Sequence, residues 1–347
     1  MLSTARLRAV FLSSNKLCGD KVAHYASCAI IMVFHTRSLA KVHTMKSSSL
    51  AIWLDAARPK TLPLAIASIV CGSAVAGWQG SFSAVIAGLA LLTALLLQIL
   101  SNLANDYGDA VKGTDNDQRL GPQRAIQSGL VTPAAMRKAM VLNIVLTIIS
   151  GLSLILLATN NLHDMLGFMV LGLMAILASI AYTVGNKPYG YRGLGDLSVL
   201  MFFGWLGVAG TYYLQAGQID SIIMLPATAC GLLAVGVLNI NNLRDIDNDR
   251  ACGKLTLAVR MGPEWGRKYH LFLLLGSVIC LALFAALEIH SPFGWLFILS
   301  APLLFKHGKQ VFQSTDGAAL RPMMATMVKC ALLTNLLFAA GMVLAAS

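Results

Sequence analysis

The chain has 347 residues, of which 57% are hydrophobic and only 12% charged, with a formal net charge of +11. A soluble domain carries about twice that charged fraction, which excludes an ordinary soluble globular protein. Apolar stretches of about 20 residues recur along the chain, the length at which a helix crosses the hydrocarbon of a bilayer. The alternating ten-residue strands of a membrane barrel are not seen. In a soluble protein the positive balance would suggest nucleic acid as a partner. Here the positive-inside rule accounts for it, and no nucleic acid is expected. The seven cysteines show no paired spacing and read as small buried apolar residues rather than disulfides or a zinc site.

Residues 1–46 stand apart. Arg6, Arg8, Lys16, Lys21, Arg37 and Lys41 face the single acid Asp20, and the apolar patch from Cys28 to Phe34 is too short to span. A targeting peptide, a cytoplasmic tail and a start codon placed too early (with Met45 the true start) all fit. The expectation is a disordered extension, with residues 47–347 forming one transmembrane domain. Ser47 to Arg58 reads as a short interfacial helix with Leu50, Trp53 and Leu54 on one side. Spans follow near 62–79, 82–104, 133–158, 164–184, 195–215, 220–241, 267–287, 292–306 and 327–345. The predicted class is therefore all-α, a polytopic membrane helix bundle of about nine transmembrane helices.

Tight turns alternate with long polar loops. From Met45 onward every Lys and Arg lies at the N-terminus or within 112–138, 187–192, 244–268 or 306–329, and the tight turns hold none. The long loops and the N-terminus are thus expected on the cytoplasmic side and the C-terminus outside.

Two of the apolar runs end in acids. The first closes in NLANDYGDAVKGTDND, Asn102 to Asp117, and the second in Asn241 to Asp249. Both follow even-numbered spans, so both reach the cytoplasmic face, where they are expected to meet. Residues four apart share a helix face, which groups Asn105 with Asp109, and Asn241 with Asp245 and Asp249. Asp106, Asp115 and Asp117 lie beside the first group; Asp247 falls on another face of the second. Converging carboxylates repel unless a cation joins them. Amide and carboxylate oxygens without His or Cys suit Mg²⁺ rather than zinc. Bases flank both motifs: Lys112, Arg119 and Arg124 after the first, Arg244, Arg250, Lys254 and Arg260 around the second, and Lys187 and Arg192 in NKPYGYRGLGD. Acids for Mg²⁺ with bases for anionic oxygens are the equipment of a diphosphate site. The plain alternative is that the bases only enforce topology.

With these motifs the chain resembles the UbiA-type intramembrane prenyltransferases over about residues 47–346, and within them the 1,4-dihydroxy-2-naphthoate polyprenyltransferases of menaquinone biosynthesis. The segments RPKTLPLA, LQILSNLANDYGDAVKG, YTVGNKPYGYRGLGD and LNINNLRDIDNDR carry the resemblance. It implies a cytoplasmic-side active site in the bacterial inner membrane, with polyprenyl diphosphate and 1,4-dihydroxy-2-naphthoate as substrates. Mg²⁺ would be held by Asn105, Asp106, Asp109, Asn241, Asp245 and Asp249. The diphosphate would be bound by Lys112, Lys187, Arg192, Lys254 and Arg260, with Asp109, Asp245 and Lys187 central to catalysis. CO₂ and diphosphate would leave, giving demethylmenaquinol. The family's first motif often carries a further Asp where this chain has Gly113, which leaves the role of Asp115 open.

Tyr182, Phe202, Phe203 and Trp205 are candidates either to shield an allylic cation or simply to pack the bundle. Asp196 is a candidate helix cap or an orienter of Lys187 and Arg192. Prenylation of another aromatic acceptor such as 4-hydroxybenzoate is the main alternative function. A cation or phosphate transporter is less consistent with acids at one interface rather than mid-membrane.

Overall fold

The computed structural model describes residues 49–346, so the expected extension over residues 1–46 lies outside the described residues. The chain divides into two compact units between Ala51 and Ile52, and of the first only the opening of helix α1 is described. Every regular element among the described residues is a helix, with no strand. In order they form α1 (Ser49–Ala57), α2 (Leu62–Trp78), α3 (Ala84–Val111), α4 (Pro133–Ala158), α5 (Leu162–Ala181), α6 (Gly195–Ala216), α7 (Met224–Arg244), the short α8 (Ile246–Ala251), α9 (Leu257–Glu288), α10 (Ala301–Phe312) and α11 (Arg321–Ala346). Each expected span has its counterpart. Seven helices among the described residues are long and apolar enough to cross a membrane, or eight if α1 and α2, bent by 54° at their junction, act as one span. The remaining segment, Pro292–Ser300 continuing into α10, begins as a 3₁₀ helix.

The largest boundary difference is in α9. The span was expected over 267–287, yet the helix starts at Leu257 and passes a break at Gly262 (φ 80°) followed by Pro263. The polar run RMGPEWGRKYH carries loop signals, but a proline is tolerated in the first turn of a helix, and that is where Gly262 places it.

The bundle core is centred on α7, which is mostly buried, whereas on α5 only Ala175 is buried. In lipid, helices gain little from apolar contact alone and associate through close backbone approach at small residues. At the α6–α7 contact, a Cβ on Gly204 would stand 2.6 Å from the Ala227 carbonyl oxygen. The middle of α6, Leu200–Gly210, is π-helical, which widens the helix where it borders the cavity described below. Polar pairs join helices elsewhere. Thr93 meets Ser150 at 2.8 Å, and the buried His270 and His307 meet through their Nε2 atoms at 3.1 Å, one donating and one accepting.

Candidate active site

The last turns of α3 change from apolar to polar. Asn102, Asn105 and Asp109 recur at spacings of three and four and line one cavity wall. Asp106, one residue past Asn105, is rotated about 100° around the helix. Its carboxylate accepts from the Ala125 and Ile126 amides at 3.1 and 3.4 Å and ties down the loop after α3. The structure therefore turns Asp106 to the loop, not to the cavity.

The two acidic motifs end alike. After α3, Gly113 adopts φ 72°, its amide bonds the Ala110 carbonyl at 3.2 Å, and the Thr114 amide bonds the Asp109 carbonyl at 3.0 Å. After α8, Gly253 adopts φ 71°, its amide bonds the Arg250 carbonyl at 3.2 Å, and the Lys254 amide bonds the Asp249 carbonyl at 2.8 Å. Each is a left-handed glycine cap with an aspartate at the same offset. The structural equivalent of Asp109 is thus Asp249, one turn beyond the Asn-x-x-x-Asp pairing visible in the sequence.

The two motifs face each other. Lys254 Nζ lies 3.8 Å from Asp109 and 3.7 Å from Asp249. Arg119 Nε lies 3.2 Å from Asp115 and 3.7 Å from Asp245. Asn248 Nδ2 donates to the Thr114 carbonyl at 3.0 Å. Asp245 interrupts the helix between α7 and α8 (φ −99°, ψ 15°) and receives Arg244 on both oxygens, at 3.1 and 2.5 Å, while Arg244 also donates to Asn241 Oδ1 at 2.8 Å.

Gly108 lets α3 meet the end of α5. A Cβ there would stand 2.7 Å from both Thr183 oxygens, and Thr183 Oγ1 holds the Ala104 carbonyl at 2.9 Å and Asn105 Oδ1 at 3.2 Å. Gly108→Ala is expected to destabilise the chain by about 1–3 kcal/mol, as overpacking does. Thermal unfolding in detergent would show this as a lowered midpoint, and an unchanged midpoint would contradict the contact.

The motifs open on a cavity of about 330 Å³. Its polar end presents Arg58, Asn105, Asp109, Arg124, Asn241 and Lys254, and its remaining walls are mostly apolar side chains of α2 to α7. A second, apolar cavity of about 430 Å³ shares Phe168, Leu171, Phe202, Leu206 and Gly210 with the first. The joint lining follows α5 from Tyr182 to His163. The 19 steps between them rise roughly 28 Å, nearly the thickness of the hydrocarbon layer.

The paired motifs thus form a charged mouth above an apolar groove of membrane depth. The sequence pattern of the UbiA prenyltransferase family matches residues 65–345. The chain belongs to the UbiA prenyltransferase family. It is 57% identical over 292 residues to the 1,4-dihydroxy-2-naphthoate octaprenyltransferase of Escherichia coli (strain K12), covering 84% of this chain and 95% of that protein. It is 50% identical over 302 residues to the enzyme of the same name from Haemophilus influenzae, covering 86% and 98%. Among solved structures, the apo UbiA homologue from Aeropyrum pernix K1 superposes with a TM-score of 0.61 at 15% identity, covering 83% of this chain and 98% of that one. The Archaeoglobus fulgidus UbiA homologue bound to GPP and Mg²⁺ gives 0.55 at 14% identity, covering 82% and 99%. At these identities the likeness is one of fold.

Within this UbiA-family site the predicted bases are placed unequally. Lys254 lines the cavity and joins both motifs. Lys112, Lys187, Arg192 and Arg260 are exposed around it. Lys112 donates to the Gly185 carbonyl at 2.7 Å, and Arg260 donates to the Arg192 carbonyl at 3.1 Å and the Leu255 carbonyl at 3.2 Å. Arg124 lines the cavity, and its buried Nε and Nη1 have no hydrogen-bond partner, although Nε lies 3.7 Å from Asp115. Asp196 sits buried in the first turn of α6, where its carboxylate accepts from the Tyr269 hydroxyl. Tyr182, Phe202 and Phe203 line the first cavity, and Phe202 and Trp205 the second.

Arg58 escaped the sequence reasoning. It sits at the α1–α2 break with φ 54°, the left-handed region a non-glycine residue rarely enters. Its Nη2 donates to the Asn102 carbonyl at 3.3 Å. Asn102 Nδ2 reaches back to the Ala57 carbonyl at 2.9 Å and Thr61 Oγ1 at 3.2 Å, and Gln98 Nε2 reaches Thr61 at 3.4 Å. The available signal was an Arg-Pro pair directly before the first apolar span.

Burial, with Asp109 adding to it, pushes the Asp115 carboxyl up to about 7 against the pull of Arg119. Burial likewise pushes Asp249 up to about 6 against Lys254. Acids crowded this way favour an added cation, and the Lys254 ammonium marks a cationic point between Asp109 and Asp249. The donor set of amide and carboxylate oxygens therefore fits a hard divalent ion. Among the described residues no three His, Cys, Asp or Glu side chains converge closely enough to form a cage by themselves. Such an ion must draw on asparagine, water or phosphate oxygens as well, which is how Mg²⁺ is commonly held.

Proposed function

We propose that this protein transfers a polyprenyl group from polyprenyl diphosphate to 1,4-dihydroxy-2-naphthoate, releasing diphosphate and CO₂ and giving demethylmenaquinol. The observation that carries this is the joining of a charged mouth to an apolar groove of membrane depth. The E. coli and H. influenzae relatives of the same name supply the acceptor. The site faces the cytoplasm from the bacterial inner membrane, with the N-terminus inside and the C-terminus outside, as the distribution of Lys and Arg indicates.

Asn105, Asp109, Asn241, Asp245 and Asp249 are the residues that would hold Mg²⁺, with Asp106 securing the adjoining loop. When bound, the ion neutralises charge on the leaving diphosphate. Lys254 and Arg124 take the diphosphate oxygens from the cavity wall, and Lys112, Lys187, Arg192 and Arg260 add positive charge at the rim. Charge stabilisation there lets the allylic C–O bond break with its electron pair leaving on diphosphate. The naphthoate carbon bearing the carboxylate then gives its π electrons to the allylic cation. The C–CO₂⁻ bond breaks, its pair restores the aromatic ring, and neutral CO₂ departs. No proton leaves that carbon, so the step needs no general base. Arg58, on the cavity wall beside Thr61, Gln98 and Asn102, holds and orients the acceptor carboxylate.

Membranes containing the protein, given a polyprenyl diphosphate and carboxyl-labelled naphthoate, are expected to release labelled CO₂ and diphosphate in equal amounts when Mg²⁺ is present. Prenylation of 4-hydroxybenzoate with the naphthoate untouched would overturn the acceptor. Prenyl transfer undiminished by a chelator would overturn the role of the ion.

The groove takes the donor tail. Gly167 lines its far half on α5, and a Cβ there meets nothing within 4 Å. Gly167→Phe fills that space with an aromatic ring of about 150–250 Å². Turnover of a two-isoprene donor is expected to stay near the parent value while that of an eight-isoprene donor falls about tenfold, the effect of about 1.4 kcal/mol of lost tail binding. Equal turnover of both donors would place the tail elsewhere.

A further inference from the structure

Tyr191 lies in the loop between α5 and α6, which joins neither acidic motif in sequence, yet it bonds the first directly and the turn that closes the second. Its hydroxyl donates to Asp109 Oδ1 at 2.8 Å and lies 2.6 Å from Thr114 Oγ1. A phenol has one proton, so Thr114 must donate to Tyr191 while Tyr191 donates to Asp109. Thr114 is itself anchored to the second motif, because its carbonyl accepts from Asn248 Nδ2 at 3.0 Å. On the other side the Tyr191 carbonyl accepts the Leu255 amide at 3.0 Å, next to Lys254. The Lys254 and Lys112 ammonium groups stand 5.3 and 5.7 Å from the Tyr191 ring centroid, within reach of its π face.

We propose that Tyr191 is a positioning residue that fixes the orientation of the Asp109 carboxylate for metal–diphosphate binding and locks the α5–α6 loop to both acidic motifs. Its bond to Oδ1 leaves Oδ2 directed at Lys254, the point between Asp109 and Asp249 that a cation favours. A carboxylate left free to rotate on a helix end presents this oxygen only part of the time. Partners that orient a metal-binding carboxylate are typically worth about 10–100-fold in metal affinity or activity. The inference rests on the diphosphate-transfer site proposed above.

Tyr191→Phe removes the hydroxyl and keeps the ring. In the full chain in lipid nanodiscs, Mn²⁺ binding in the presence of inorganic diphosphate can be followed by electron paramagnetic resonance. The Mn²⁺ concentration at half-saturation is expected to rise about tenfold, with KM for the prenyl donor rising and KM for the naphthoate within about twofold of the parent. Half-saturation within about twofold of the parent would overturn the assignment, as would an equal rise in both KM values. Should Tyr191→Phe fail to fold, Thr114→Val, which strips the hydroxyl donating to Tyr191, is expected to weaken Mn²⁺ binding by about threefold, a smaller effect because the phenol remains on Asp109. No change in that variant would likewise defeat the proposal. A parent chain that prenylates neither acceptor defeats the proposed transferase function, whereas an active parent with an unaltered Tyr191→Phe variant defeats the role of Tyr191 alone.

Discussion

Asp109→Ala is expected to lower prenyl transfer by about 10²–10³-fold, the usual consequence of removing a group that stabilises charge in the transition state. Asp109 is the carboxylate on which the site's contacts concentrate. It receives Tyr191, lies 3.8 Å from Lys254, raises Asp115 and lines the cavity mouth. Without it Lys254 loses one of its two acids, and the oxygen donors shared between the motifs fall to one side. The loss strands the Tyr191 hydroxyl, a cost offset in part because Asp115 sheds a repelling neighbour. The unfolding midpoint is therefore expected to fall only modestly while activity collapses, and raising Mg²⁺ is expected to restore only part of the rate. Assay of purified variant with labelled donor checks this. Activity within about tenfold of the parent would remove Asp109 from the reaction centre.

Arg58→Met is expected to act on the other substrate. The replacement keeps an unbranched side chain of comparable reach and removes the charge. Truncating one partner of a buried, hydrogen-bonded charge pair costs about 2–5 kcal/mol, so the lower half of that range predicts a drop of about 30- to 400-fold in kcat/KM for 1,4-dihydroxy-2-naphthoate. KM for the prenyl donor should stay near that of the parent. Steady-state kinetics with each substrate varied in turn separates the two. If the donor KM rises and the acceptor KM does not, Arg58 belongs with the diphosphate. The left-handed backbone at Arg58 supports a functional placement, since the conformation strains a residue with a side chain and is retained where that side chain is used.

Much of this architecture is written in hydropathy. The spans are legible because a helix must present about 20 apolar residues to cross lipid, and the acids are conspicuous because nothing else at a membrane edge favours them. Geometry finer than one helical turn is not written there. Asn105 and Asp106 are neighbours in sequence, yet the 100° between them sends one to the cavity and the other to a loop amide pair. The pairing of Asp109 with Asp249 rests on the glycine caps beyond each, not on the acid spacing. The bases illustrate the same limit. Charge alone could not separate Lys254, which turns inward, from Arg260, which spends its donors on carbonyls of neighbouring loops. Arg58 and Tyr191 stayed hidden because each acts on a partner distant in the chain.

The groove along α5 also determines how substrate must be counted. Its wall runs from Tyr182 at the charged mouth to His163 near the opposite face, so the proposed donor would be taken up with its tail still at bilayer depth. Encounter would then be a search in two dimensions. The quantity expected to saturate the protein is the mole fraction of polyprenyl diphosphate among the surrounding lipids, and diluting the membrane with inert phospholipid is expected to slow turnover at constant bulk concentration. The proposed acceptor, small and anionic, would arrive from water and obey ordinary molarity. One protein would thus read two concentration scales at once, its rate rising with how densely the membrane is stocked with donor.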